Sequence, residues 1–404
     1  MTRPRDGRVP RDGHSAREPR EPGQPNPYLA AADKLHHYLS RAHGAGGEGL
    51  AGPDPGIRFN ARFGRFLKSY TRFLPWSDNL FYMQAQGYWI LDNWLLYDIH
   101  GDDRYQEIAV RTSEAVLARQ QEDGSWAYPN PEWEGRIATV EGAFAALGLL
   151  ESYARTRRPA FLEGAKRWHG VMQERIGFRR QADAGMLAVN YFAHSTGEGG
   201  GVPNNSTLVL WVTARLAQLA EDDSFMAECG PMLAWLAHVQ QPDGELPYEV
   251  GSDDGAGRVH FLCYQYNAFE FMDLAHYHSI TGDSRVWPTM ERLAGFLVAG
   301  LEAGVAGYDC SRREPHVAYY TAAVAQALSQ ATELGMVDER LAVDEAYHNF
   351  LRLQRPDGSF RFHSRQNYRF LSDRRSYPRY LSMMLHHLLL EGRRSRADHH
   401  APGL

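Results

Sequence analysis

Two stretches of this sequence hold residue types suited to moving protons. "PEWEGRIATVEG" (131–142) carries Glu134 and Glu141, seven residues apart. That is two helical turns, so in a helix that begins early both carboxyls share a face. Glu141 stands beside Val140, Ala143 and Phe144, and a carboxyl in such surroundings has a raised pKa and serves as a general acid. "HFLCYQYNAFEF" (260–271) carries Tyr264, Tyr266 and Asn267 at the start of a helical pattern. A tyrosine pair near an arginine can exchange a proton at a carbon next to a carboxylate. Asp373 precedes the last long apolar segment, where it serves as helix cap or catalytic carboxylate. Glu134, Glu141, Tyr264, Tyr266 and Asp373 are therefore the expected catalytic residues. Each also has a structural reading: Glu141 as a first-turn acid facing a helix dipole, the tyrosines as core packing.

The residues expected to hold a substrate are aromatic, amide and cationic. Trp76, Trp126, Trp133, Tyr320 and Tyr377 offer ring faces. Asn190, Asn204, Asn205, Asn267 and His260 can bond hydroxyls, and Arg136, Arg258, Arg374 and Arg375 can pair with a carboxylate. Together they suit a saccharide, and the arginines suit an anionic one such as a uronate.

Composition removes other classes. With a net charge of −6 over 404 residues, the chain lacks the concentrated basic surface that nucleic acid demands. No apolar run approaches the eighteen residues of a membrane span. Neither a phosphate-binding loop, a dinucleotide fingerprint nor a serine nucleophile elbow occurs. Cys229, Cys263 and Cys310 are widely separated, so the expectation is three reduced, mostly buried thiols in a cytoplasmic protein. His276 with His278 lies at i, i+2, which does not share a helix face, so no metal is expected, and no cofactor.

The elements that must position these residues repeat. Six long apolar segments begin near Asp78, Ile137, Asn205, Tyr264, His316 and Ser376, at intervals of roughly 50 to 70 residues. Five amphipathic segments alternate with them: 105–120, 160–175, 224–240, 284–300 and 338–354. A further outer helix is expected from 28–42 or 59–73. This predicts an all-α chain, an (α/α)6 toroid of helical hairpins with an inner and an outer ring. Residues 1–27 read as a disordered Arg/Pro/Gly-rich leader, 28–392 as one domain and 393–404 as a disordered tail. Three outer segments end in a common motif, "QQEDGSW", "QQPDGEL" and "QRPDGSF". Asp-Gly makes the turn there and Trp126, Leu246 or Phe360 folds back as a plug. "IGFRRQADAG" and "EAGVAGYDC" read as degenerate copies.

Gln120, Gly124 and Trp126 resemble the Gln-Trp repeat of terpene cyclases and protein prenyltransferases. The other copies lack the tryptophan. The motif also resembles the Q-x-D-G-x-W turns of six-hairpin glycosidases, uronyl hydrolases and polysaccharide lyases, and the same toroid forms the C-terminal part of glucuronyl C5-epimerases. The resemblance covers most of the chain after about residue 75 and implies the toroid without selecting a reaction. The expected function is a carbohydrate-active enzyme acting on an anionic, uronate-containing saccharide by hydrolysis, elimination or epimerisation. The alternatives are a terpene-cyclase- or prenyltransferase-like enzyme and a non-catalytic glycan-binding toroid. The D-x-D-D pattern of alkene protonation is absent, with "GSDDG" a partial echo. The expected partner is a small saccharide or glycan; oligomeric state is left open.

Overall fold

The structure is a computed structural model that describes residues 26–54, 67–68, 70, 78–133, 135–181, 185–193, 201–251, 259–362 and 374–400. Twelve α-helices lie among them. The even-numbered helices form the inner ring: α2 Met83–His100, α4 Thr139–Thr156, α6 Pro203–Ala220, α8 Cys263–Thr281, α10 Ala318–Glu333 and α12 Pro378–His400. The odd-numbered helices surround it: α1 Pro27–His43, α3 Asp103–Ala118, α5 Pro159–Val171, α7 Cys229–Val239, α9 Trp287–Gly300 and α11 Arg340–Leu351. Each inner helix packs on the next, and α12 returns to α2, closing the ring. The sixth outer helix is α1, which packs on α12 at the far end of the sequence. This settles the choice between 28–42 and 59–73 in favour of the former. The helix α12 runs on to His400, past the boundary expected at 392.

Inner helices form because small and aromatic residues alternate on every side. Gly87 of α2 illustrates the fit: a Cβ there would lie 2.4 Å from the Phe144 carbonyl oxygen of α4. Short turns break the hairpins and cap the helix that follows. Asp102 and Asp283 accept the N–H of Arg104 and Arg285 at 3.0 Å, and Pro159 opens α5.

The recurrent Gln motif is an interlocking device. Gln120 Nε2 donates to the Gly124 carbonyl in its own turn and to Gly164 of α5, at 2.9 and 2.8 Å. Gln240 does the same to Gly244 and to Thr289 of α9. Gln354 bonds Gly358 and Ala31 of α1, so the third copy ties the last outer helix to the first. The glycines have φ of 92°, 99° and 93°, a conformation that side chains resist. Their missing Cβ is also needed for docking: it would strike the carbonyl oxygens of Arg167, Arg292 and Lys34. Trp126, Leu246 and Phe360 are fully buried, as the plug reading expects. The two degenerate copies lack the Gln-x-x-Asp-Gly spacing and fold differently. They form antiparallel hairpins, β1 Phe178–Gln181 with β2 Met186–Val189, and β3 Leu301–Glu302 with β4 Val305–Ala306.

Candidate functional site

The loops from outer to inner helices, with the N-terminal turns of the inner helices, gather at one mouth of the ring. Glu141 is its central carboxyl. It sits in the first turn of α4 and is fully buried. Oε2 does not cap its own helix. It accepts the N–H of Met83 at 2.5 Å and of Gln84 at 3.4 Å, the orphan donors that begin α2. Glu141 thus answers the N-terminus of α2 rather than that of its own helix. Burial pushes its pKa up to about 7, opposed by nearby Arg379 and by the two backbone N–H groups. Oε1 is buried without a hydrogen-bond partner.

Around Glu141 stands a collar of tyrosines. Tyr82 precedes α2, Tyr128 lies on the loop after α3, and their rings meet edge to face at 5.7 Å. Tyr191 enters from the loop after β2, which is fixed because Thr139 donates its hydroxyl to Asn190 O at 2.7 Å. Tyr266 in the first turn of α8 contacts Tyr248 at 4.9 Å, and Tyr319 of α10 stacks on Tyr380 of α12 at 4.3 Å. Burial raises the pKa of every one of these phenols, so each stays a neutral hydroxyl. The Tyr82 hydroxyl is buried with no partner. Arg379 crosses the collar, its guanidinium 4.7 Å from the Tyr82 ring and 4.8 Å from the Tyr380 ring. It forms an ion pair with buried Asp54 at 2.8 Å and donates to the Tyr380 hydroxyl at 3.0 Å.

The expected site residues divide. Glu141 and Tyr266 both belong to the collar, Tyr266 against Tyr248, and Tyr320 flanks it against Tyr319 at 4.5 Å. Tyr264 does not join them. Residues i and i+2 of a helix diverge, and Tyr264 stacks on Phe296 at 5.0 Å, wedged where a Cβ at Gly300 or Gly307 would collide with it. Trp133 lies on the rim against Tyr128, with exposed Arg136 above its ring at 5.2 Å. Asn204 and Asn205 open α6, each with a buried Oδ1 that lacks a partner.

Several others are committed to the fold. Trp126 is a plug whose Nε1 donates to Val116 O at 2.9 Å. Asn267 bonds Leu246 N, Leu246 O and Cys263 O, and so pins the second plug to α8 as Gln86 pins Leu50 to α2. Asn190 donates to Ile176 O at 2.9 Å. Tyr377 is buried, and buried Arg375 donates to the Tyr70 hydroxyl at 3.2 Å, whereas Arg374 is exposed. His260 faces Glu245 at 2.9 Å. Glu134, Asp373, Trp76 and Arg258 lie outside the described residues. Asp54 and Tyr380 belong to the collar but carry no signal in the sequence. Asp54 sits in "GPDPG" with the look of a turn, and its partner is 325 residues away.

The cysteines require a correction. Cys263 and Cys310 are joined by a disulfide, and Cys229 alone is a buried free thiol. The 47-residue separation hid the pair. The ring fold brings the start of α8 beside the loop that leads to α10.

No protein-family model matches the chain, and no curated protein matches it in sequence. Solved structures do. Cellobiose 2-epimerase from Bacillus thermoamylovorans is similar with a TM-score of 0.69 at 13% identity, over 90% of this chain and 99% of that one. A possible member of the GH105 family from Salmonella enterica serovar Paratyphi A gives 0.66 at 14%, over 95% and 98%. Glycosyl hydrolase family 88 from Bacteroides vulgatus gives 0.61 at 10%, over 91% and 98%. At identities this low the likeness shows the fold alone, an (α/α)6 toroid, as the sequence predicts. Among the described residues, no helix is long and apolar enough to cross a membrane.

Proposed function

We propose that this chain is a carbohydrate-active enzyme that moves a proton on an anionic, uronate-containing saccharide, with Glu141 as proton carrier. One observation carries the reading: a buried carboxyl with its pKa near 7 and an unpartnered Oε1, set inside a collar of neutral hydroxyls. A group half-ionised at neutral pH gives and takes protons with equal readiness. In the ionised state Glu141 would remove the proton from the carbon beside the substrate carboxylate. The Arg379 cation would favour the negative charge that develops, and the Tyr82 hydroxyl would donate to it. Trp133 would stack on a sugar ring, Asn204 and Asn205 would accept from sugar hydroxyls, and exposed Arg136 and Arg374 would face the anionic group.

Within the expected reactions, elimination and epimerisation fit this arrangement better than hydrolysis by paired carboxyls. Such hydrolysis uses a second carboxyl opposite the first, and among the described residues of the collar the other carboxyl, Asp54, is already paired with Arg379. The structural neighbours that act on saccharides, an epimerase among them, are in keeping with sugar chemistry. The isoprenoid alternative is not favoured, since a collar of hydroxyls around a buried ion pair is a poor lining for a hydrocarbon. The cytoplasmic placement is part of the same proposal.

The test incubates the full-length chain with uronate-containing oligosaccharides in deuterated water. Deuterium entering at the carbon beside the carboxylate, or an unsaturated uronate appearing in the ultraviolet, is the expected result, and Glu141→Gln abolishes it. Failure of every uronate to react or to raise the melting temperature, with stabilisation by isoprenyl diphosphates instead, would sink the proposal.

A further inference from the structure

The three Gln motifs are not chemically equal. The residue after Asp-Gly is buried Ser125 in the first copy and buried Ser359 in the third, each hydroxyl bonding its own turn aspartate at 2.7 Å. The second copy has Glu245 there, 3% exposed. A carboxylate buried where the repeat holds a serine needs compensation, and its neighbours are unusual. His260 Nδ1 lies 2.9 Å from both carboxylate oxygens. Cys310 Sγ lies 3.3 Å from Oε1. Glu245, Cys263 and Cys310 each present a donor atom within 4.8 Å of the others. The Cys310 N–H points at Cys263 Sγ at 3.2 Å, the outer hydrogen bond that a thiolate ligand accepts. In the disulfide state Cys310 Sγ carries no hydrogen, so its contact with Oε1 sets two acceptors face to face.

We propose that, when the Cys263–Cys310 disulfide is reduced, Glu245, His260, Cys263 and Cys310 form a four-ligand site for a thiophilic divalent cation of the zinc type. Two sulfurs, an imidazole nitrogen and a carboxylate oxygen are a donor set that suits this ion. A sulfur at ~2.3 Å and an oxygen at ~2.0 Å on one tetrahedral zinc stand about 3.5 Å apart, close to the separation between Cys310 and Glu245. The reducing step needs an external dithiol. It gives two electrons and two protons, the S–S bond opens to two thiols, and the dithiol closes to its own disulfide. Both thiol protons leave to solvent as the cation binds. Cys310 and His260 are exposed and admit the ion and the reductant, while Glu245 and Cys263 are buried and hold the geometry. The loaded site would tie three parts of the mouth together: the turn after α7, the start of α8 and the loop before α10. Tyr266 lies three residues after Cys263, so the site would brace one side of the collar.

The experiment uses the full chain, reduced with dithiothreitol and freed of it without air, and titrated with zinc against a chromophoric chelator. A parallel sample receives cadmium, and thiolate-to-metal absorption is followed. One equivalent bound, with thiolate absorption, is the expected result. Cys263→Ser and Glu245→Gln should weaken binding at least tenfold, and Cys229→Ser should leave it unchanged. His260→Ala changes an exposed side chain, so it tests the ligand set even where the buried variants unfold; it too should weaken binding at least tenfold. Absence of stoichiometric binding in the reduced chain would overturn the proposal. So would equal affinity in the oxidised chain, or affinity unchanged in both His260→Ala and Cys263→Ser.

Discussion

The axis of the ring holds two polar regions of opposite character. At the N-terminal ends of the inner helices lies the collar, built from hydroxyls, one ion pair and Glu141. Deeper, towards their C-terminal ends, lies a cavity of about 250 Å³ lined by Tyr88, Trp211, Asp273, His276, His386 and His387 among others. Tyr88, at the cavity wall, packs against Phe144 at 4.7 Å. In the cavity region Asp92 holds His386 Nδ1 at 2.9 Å, and His276 stacks on Trp211 at 4.2 Å. Burial lowers the pKa of His276 and His386 to about 4 and of His387 to about 3. The contrast follows the helix dipoles and burial together. Unsatisfied N–H groups at the mouth favour a carboxylate and partly offset its desolvation, so Glu141 titrates near neutrality. The imidazoles are held neutral by burial, His386 with Asp92 as its hydrogen-bond partner. Among the described residues of the two regions, Glu141 has its pKa pushed up to about 7, while burial raises Asp92 and Asp273 of the cavity region well above the usual carboxylate range.

The largest effect expected from breaking this contrast is catalytic. Glu141→Gln should lower turnover of a uronate substrate by ~10² to 10⁴-fold, while His386→Gln should leave it within a few-fold. Steady-state rates of the two variants decide it, and equal losses would erase the distinction between the regions.

Stability should respond to pH in opposite senses. The folded pKa of Glu141 is raised above its unfolded value of 4.5. Its neutral form is the one the fold prefers, so stability is lost as pH rises from about 4.5 through about 7. The loss is on the order of 3 kcal/mol, and Glu141→Gln should recover it in urea unfolding at pH 8. His387 has a folded pKa lowered from 6.5 to about 3. Its stability is intact above 6.5 and lost as pH falls, by about 2 kcal/mol at pH 5. His387→Leu should flatten that side of the profile.

Ring closure offers a smaller effect. Gln354→Ala removes two hydrogen bonds between α11, its turn and α1, and should cost about 1 to 2 kcal/mol. Gln240→Ala removes an equivalent pair and should cost the same; a much larger loss at Gln354 would show that closure is cooperative. Smallest of all, Arg136→Ala at the rim should raise KM for anionic saccharides by about tenfold with kcat unchanged, and leave neutral saccharides unaffected.

The periodicity of the sequence determined the ring on its own. Six apolar segments at near-even spacing, alternating with amphipathic ones, admit few arrangements other than stacked hairpins, and Gln-x-x-Asp-Gly marked where three outer helices end. The burial of Glu141 was also legible, because a carboxyl amid apolar and aromatic residues in a first helical turn shows within a dozen residues. Tertiary structure alone decided which residues meet. Tyr264 and Tyr266 are neighbours in sequence and diverge in space, since helical geometry separates i from i+2. Asp54 and Arg379, or Cys263 and Cys310, are remote in sequence and touch because ring closure and hairpin stacking bring them together. Asn267 and Trp126 look like ligand-binding residues, yet they are spent on backbone groups that the turns leave unsatisfied. A residue's type fixes what it can bond, and only the packing around it fixes whether that capacity remains available.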